Sequence, residues 1–129
     1  MKTINVVAAI IFNKDNIYAT ERGYGDFKGW WEFPGGKIEE NETREEALIR
    51  EIKEELNTTI SVDKFLTTVE YDYPKFHLHM DCFICKVVSG KLTLLEALDA
   101  KWLKKETLDS VNWLPADKIV VESLKKILN

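Results

Sequence analysis

The chain has 129 residues, 45% apolar and 31% charged, a balance that fits one soluble domain, residues 1–129, with a core of its own. A net charge of −4 leaves no basic footprint for a nucleic-acid partner. No run approaches the roughly 18 apolar residues of a membrane span, and Met1 to Asn5 lacks a signal-peptide layout, so a cytoplasmic protein is expected.

Val6 to Phe12, "VVAAIIF", is a continuous apolar run, which predicts a strand buried on both faces. "NKDN" is a turn, and "IYATER" predicts a returning second strand. Residues 23–29 hold three glycines and read as a mobile loop. Trp30 to Phe33 predicts a short strand ended by Pro34-Gly35-Gly36. A helix is predicted over 44–56. Thr43 is its N-cap, Glu46 completes a capping box, Leu48, Ile52 and Leu56 form its apolar stripe, and Asn57 suits a left-handed end.

Residues 59–72 and 76–88 predict a long antiparallel pair, with "DYPK" near the turn. Within it, Cys82 and Cys85 have the spacing of half a zinc or redox motif. No second pair exists, and strand alternation sends the two thiols to opposite faces, so reduced sheet cysteines are expected. "KWLKKETL" predicts a short strand and a turn of helix, and "LPADKIVVESLKKIL" a closing amphipathic helix. The order β-β-β-α-β-β-β-α implies an α/β fold, a mixed β-sheet with helices packed on it.

Glu51, Glu54 and Glu55 share one face of the predicted helix, because positions three and four apart are neighbours. Such carboxylates repel unless they stay solvated or a cation sits among them, and a hard divalent ion such as Mg²⁺ suits oxygen ligands. Charged surface helices are common, and Glu46–Arg50 and Arg50–Glu54 are ordinary pairs four apart. The context separates the two readings. Gly35-Gly36 lies just upstream, where a backbone carbonyl can reach an ion without a side chain in the way.

The residues Gly36, Glu42, Arg50, Glu51, Ile52, Glu54 and Glu55 follow the pattern Gly-x5-Glu-x7-Arg-Glu-U-x-Glu-Glu-x-Gly-U, with U a bulky aliphatic. The chain thereby resembles the Nudix hydrolases. Asn57 and Thr58 depart from the last two positions, which touches the helix end and none of the carboxylates. "VVAAII", "WEFPGGKIE", "HLH" and "LPAD" are similar to the MutT branch and its CTP pyrophosphohydrolase relatives, from about residue 4 to 126. The resemblance implies the Nudix α/β/α sandwich with a mixed β-sheet. It also implies Mg²⁺-dependent hydrolysis of a nucleoside triphosphate to a monophosphate and pyrophosphate, with Mn²⁺ as a substitute ion.

The resemblance implies metal ligands at the Gly36 carbonyl, Glu51, Glu54 and Glu55, with Glu96, six residues before Trp102, as a further acidic ligand. Metal ions would invert the sign of this acidic face, bridge the phosphates and lower the pKa of a bound water. Glu51 is the first choice for the base or for the ligand that holds the water's metal, with Glu54 beside it. Arg50 is expected to orient Glu51 or Glu54 by a bidentate pair. Glu42 is expected to be structural.

Arg22 matches the arginine that reaches phosphate in the MutT branch, and Asp117 the position that reads the base. An Asp before a helix is also a common N-cap. Ionised, Asp117 only accepts hydrogen bonds, which leans toward an amino edge and a CTP- or dCTP-type substrate, with oxidised nucleotides such as 8-oxo-dGTP expected beside it. MutT proteins specialised for 8-oxoguanine carry Asn there, which also donates, and a protonated buried Asp could do the same. Phe33 and Tyr71, with Val6 and Phe76, are candidate walls for the base, beside the Gly35-Gly36 backbone. The partner is then a small nucleotide, for a monomer or homodimer. The alternatives are a non-catalytic nucleotide-binding module, or a hydrolase of ADP-ribose or nucleotide sugars.

Overall fold

The computed structural model of the chain describes residues 1–128. The first strand, β1 (Thr3–Asn13), turns through Lys14 into β2 (Asn16–Glu21). Then come β3 (Trp31–Glu32), β4 (Gly35–Lys37), α1 (Arg44–Leu56), β5 (Thr59–Tyr73), β6 (Phe76–Ser89), β7 (Asp99–Leu103), a 3₁₀ turn (Lys105–Ser110) and α2 (Pro115–Ile127). No helix is long and apolar enough to cross a membrane among the described residues.

The strands make one mixed sheet in the order β3-β2-β1-β6-β5, with β4 added to β1 and β7 to β2. β1 and β6 run parallel over nine residue pairs, Thr3 with His77 to Ile11 with Cys85. β1's other edge serves two strands: Val6 to Ala8 pair with β4, while Phe12 and Asn13 pair with β2. The sheet therefore forks along β1, and β2, β3 and β7 leave as a separate leaf.

Alternation along β1 builds two cores. Ala8 and Ile10 face α2 with Met80, Cys82, Val120 and Leu124, whereas Val7, Ala9 and Ile11 face α1 with Leu48, Ile52, Phe83 and Cys85. This is the α/β/α sandwich, and it explains why "VVAAIIF" is apolar throughout. Cys82 and Cys85 are free, buried and on opposite faces, as the strand period requires.

α1 follows its sequence signals. Thr43 Oγ1 accepts from the Glu46 N–H at 3.1 Å, and Glu46 Oε1 accepts from the Thr43 N–H at 2.8 Å. Asn57 takes the left-handed conformation, φ 49°. Leu48, Ile52 and Leu56 are buried, each contributing about 1.5–3 kcal/mol.

Three expectations are corrected. Gly35 and Gly36 do not end a strand; they are β4, a seventh strand laid against β1 so closely that a Cβ on Gly35 would overlap the Val7 carbonyl oxygen. Asp117 is not the N-cap of α2: Leu114 holds that position without a side-chain bond, Pro115 follows it, and the Tyr73 hydroxyl accepts from the Ala116 N–H at 3.1 Å. The glycine-rich loop is tied down. The Arg22 N–H donates to the Trp30 carbonyl and the Gly29 N–H to the Arg22 carbonyl, both at 2.8 Å, and Phe27 packs on Trp30 and Tyr73.

Candidate active site

Sequence spacing puts Glu51, Glu54 and Glu55 on one face of α1, and the fold presents that face to β4. A Cβ on Gly36 would overlap the Glu51 carboxyl group, so only glycine lets the two approach so closely. The Gly35 N–H donates to Glu55 Oε2 at 3.2 Å. Two of the carboxylates thus meet the Gly35-Gly36 backbone directly.

Arg50 organises the third and the rim. Its Nε and Nη2 donate to Glu42 Oε2 and Oε1 at 2.7 and 2.9 Å, and Nη2 also reaches the Lys37 carbonyl at 3.0 Å. Nη1 donates to Glu51 Oε2 at 3.0 Å and to Glu54 Oε2 at 3.2 Å. The bidentate partner is therefore Glu42, which corrects the expectation of Glu51 or Glu54. Only a planar fork with five donors can serve three carboxylates and a carbonyl at once. This pairing pulls Glu42 below the usual carboxylate range and Arg50 above its ordinary value.

The inner carboxyl groups titrate differently. Burial pushes Glu55 up to about 8, helped by the charges of Glu51, Glu32 and Glu96 and opposed by the Gly35 N–H. Burial also raises Glu51, against the pull of Arg50. Glu96 sits in the loop before β7. Its charge bears on both groups, and the Leu95 N–H beside it donates to the Glu55 carbonyl at 3.3 Å.

Among the described residues, no three acidic, histidine or cysteine side chains already surround a common point for an ion. The donor set nonetheless suits a hard cation: all-oxygen ligands, a glycine backbone free of side chains, and a Glu55 carboxyl group whose proton affinity is raised by burial first and then by the charges of Glu51, Glu32 and Glu96. Glu51, Glu54, Glu55 and the Gly36 carbonyl would hold such a cation, and Glu55 would give up its proton on binding.

A second group lies at the head of α2. Asp117, only 5% exposed, accepts from the Phe33 N–H through Oδ2 at 2.9 Å. Burial, then the charge of Glu32, pushes it up to about 8, so it is protonated at neutral pH. Arg22 Nη1 donates to Glu32 Oε1 at 3.0 Å, its Nε to the Tyr24 carbonyl at 3.2 Å, and its guanidinium lies 5.2 Å from the Tyr24 ring centre. Phe33 is buried and stacked on Trp113 at 4.6 Å, so its ring belongs to the core and its contribution here is a backbone donor. Tyr71 is half-buried, 4.7 Å from Tyr73, and Val6 and Phe76 pack on the same core.

The sequence reading missed Glu32 and Tyr73. A charged residue between aromatics in "WWEF" was the available signal for Glu32. It joins Arg22, Asp117 and Glu55 electrostatically, and burial raises its pKa against the Arg22 pair.

The model of the NUDIX domain family matches residues 1–128. The chain belongs to the Nudix family. This Nudix hydrolase is 30% identical to the 8-oxo-dGTP diphosphatase of Escherichia coli over 98% of its own length and all (100%) of that protein. It is 32% identical to the CTP pyrophosphohydrolase of the same organism, over 95% of this chain and 92% of that one. The E. coli ORF135 protein superimposes with a TM-score of 0.84 at 31% identity, covering 98% of this chain and 91% of that structure.

Proposed function

We propose that residues 1–129 of this Nudix hydrolase act as one Mg²⁺-dependent nucleoside triphosphate pyrophosphohydrolase of the cytoplasmic nucleotide pool, releasing a monophosphate and pyrophosphate. The observation that carries it is the meeting of Glu51 and Glu55 with the Gly35-Gly36 strand, beside Arg22 and Asp117. When bound by the Gly36 carbonyl, Glu51, Glu54, Glu55 and Glu96, a divalent cation would neutralise the triphosphate and acidify a water.

The remaining roles belong to the chain's own groups. Glu51 accepts the proton of the attacking water. Its carboxylate, held by Arg50 against the Gly36 backbone, is the acceptor placed for that proton. Arg50 is a positioning residue that orients Glu51 and Glu54 and anchors Glu42. Arg22, held by Glu32 and the Tyr24 carbonyl, supplies local positive charge for phosphate oxygens in an acidic protein.

Asp117 reads the base. The lean from sequence toward cytosine assumed an ionised acceptor. A buried carboxyl group with a pKa of about 8 is neutral at pH 7 and donates as well as accepts. A keto edge such as that of 8-oxoguanine then becomes the better match, with CTP or dCTP as the second substrate. Relatives of both names, 8-oxo-dGTP diphosphatase and CTP pyrophosphohydrolase, support carrying the two forward together.

Common and oxidised (d)NTPs, ADP-ribose and a nucleotide sugar, each incubated with Mg²⁺ and resolved for monophosphate and pyrophosphate, test the proposal. Turnover of 8-oxo-dGTP or CTP with both products supports it. Turnover confined to ADP-ribose or nucleotide sugars, or none at all, overturns it.

A further inference from the structure

We propose that His77, His79 and Glu70 form a second metal site, for a borderline divalent ion such as Zn²⁺, on the β5–β6 hairpin and separate from the carboxylates of α1. Alternation along β6 puts His77, His79 and Asp81 on the face shared with Phe83 and Cys85, while Leu78, Met80 and Cys82 face α2. The β5 register sets Asp72 opposite His77, Glu70 opposite His79 and Thr68 opposite Asp81. α1 begins at Arg44, whose guanidinium lies over the Phe65 and Phe83 rings and 3.5 Å from Asp81. The histidines lie beyond the helix and stay partly open, with side chains 29% and 35% exposed. Their β1 neighbours on this face, Thr3 and Asn5, carry no charge.

Glu70 Oε1 stands between the two rings, 2.5 Å from His79 Nδ1 and 3.4 Å from His77 Nε2. Ligands about 2.0–2.1 Å from a tetrahedral Zn²⁺ are separated from one another by about 3.3 Å. The His77 contact already has that spacing. The His79 contact is a hydrogen bond whose proton an ion would replace, with the carboxylate moving out by about 0.8 Å to reach the same separation. The donors thus touch one another instead of enclosing a vacant centre. Imidazole nitrogens favour Zn²⁺, Ni²⁺ or Cu²⁺ over Mg²⁺, which distinguishes this site from the all-oxygen set on α1.

The other nitrogen of each ring also faces a carboxylate. His77 Nδ1 lies 2.5 Å from Asp72 Oδ1, and His79 Nε2 lies 3.4 Å from Asp81 Oδ1, which accepts from the Thr68 hydroxyl at 2.5 Å. A carboxylate behind each imidazole is the outer-shell arrangement that fixes ring orientation and raises ligand basicity in metal sites. Glu70 and Asp72 are more than half exposed, which leaves an entry path and a fourth position for water. A bound ion would cross-link β5 to β6 beyond the reach of α1, on the sheet face opposite Tyr71, Tyr73 and Met80.

Calorimetric titration of ZnCl₂ into EDTA-stripped protein tests the site, using Glu51→Gln/Glu55→Gln to silence the α1 carboxylates. That double variant should retain one Zn²⁺ site. Adding His79→Ala or His77→Ala should weaken it at least tenfold, and Asp72→Asn about tenfold. In the wild-type background His77→Gln/His79→Gln should leave Mg²⁺-supported turnover unchanged, which also shows that the variant folds. Co²⁺ loaded on the double variant should give the intense visible bands of a four-coordinate site. Absence of Zn²⁺ binding to the double variant, binding indifferent to both histidines, or a weak octahedral Co²⁺ spectrum overturns the proposal.

Discussion

The Phe33 N–H donates to Asp117 Oδ2 at 2.9 Å, joining residues 84 positions apart. This bond ties the segment between β3 and β4 to the first turn of α2. It also occupies one oxygen of a carboxyl group that burial and Glu32 keep protonated at neutral pH. The remaining polarity of Asp117 is therefore set by its proton.

Selectivity should follow that proton. Below a pH of about 8 Asp117 donates to a keto edge; above it, the carboxylate only accepts and suits an amino edge. The ratio of kcat/KM for 8-oxo-dGTP to that for CTP should fall as pH rises through 8, by about ten- to a hundredfold. In Asp117→Asn the ratio should stay high and flat. Taking a ratio cancels the titration of Glu55, which both substrates share. A pH-independent ratio in the wild type rejects the base-reading role.

Asp117 also predicts a stability difference. Its folded pKa lies above the ordinary 3.8, so between about pH 4 and 8 the unfolded chain has released a proton that the folded chain still holds. Folding stability contributed by this group falls as pH rises across that window and levels off above 8. Asn can accept from the Phe33 N–H and does not titrate. Asp117→Asn should therefore gain on the wild type between pH 5 and pH 8 in urea titrations, and a constant difference counts against the raised pKa.

Glu51→Gln and Glu55→Gln each keep an acceptor oxygen and the volume while removing the ability to ionise as a metal ligand. In Glu55→Gln the new amide oxygen can still accept from the Gly35 N–H, so melting curves should change little. Turnover with Mg²⁺ should drop about a thousandfold, several kcal/mol of transition-state stabilisation. Near-normal rates in both variants place the chemistry elsewhere.

Because burial, helped by the charge of Glu51, holds a proton on Glu55 that a bound cation would displace, Mg²⁺ should stabilise the fold. A hundredfold excess over Kd adds about 2.7 kcal/mol, a rise of several degrees in Tm. The same titration on Glu51→Gln/Glu55→Gln should give a flat response; equal shifts in both proteins indicate non-specific binding.

The two glycines of β4 should separate fold from site. A Cβ at Gly35 meets the Val7 carbonyl and the Ala8 backbone, which cannot give way, so Gly35→Ala should lose about 1–3 kcal/mol or more in denaturant unfolding. At Gly36 it meets only the Glu51 carboxyl group, the far end of a flexible side chain. Gly36→Ala should fold normally and lose about a hundredfold in kcat through misplacement of Glu51. Equal stability losses in the two variants contradict this division.

Local chemistry made much of this protein legible in its sequence. The α1 boundaries follow from Thr43, Glu46 and Asn57, because caps are satisfied within a few residues. The opposite faces of Cys82 and Cys85 follow from the two-residue period of a strand. The proximity of Glu51, Glu54 and Glu55 follows from helical spacing, and their match to the Nudix pattern from residue identity alone. Tertiary structure decided what those residues meet. That Gly35-Gly36 is a strand depends on a free edge of β1, that Arg50 takes Glu42 as its bidentate partner depends on the path of the intervening loop, and that Asp117 holds a proton depends on burial beside Glu32. Spacing along a chain determines which groups share an element. Strand edges, desolvation and charge between distant segments exist only once those segments have packed.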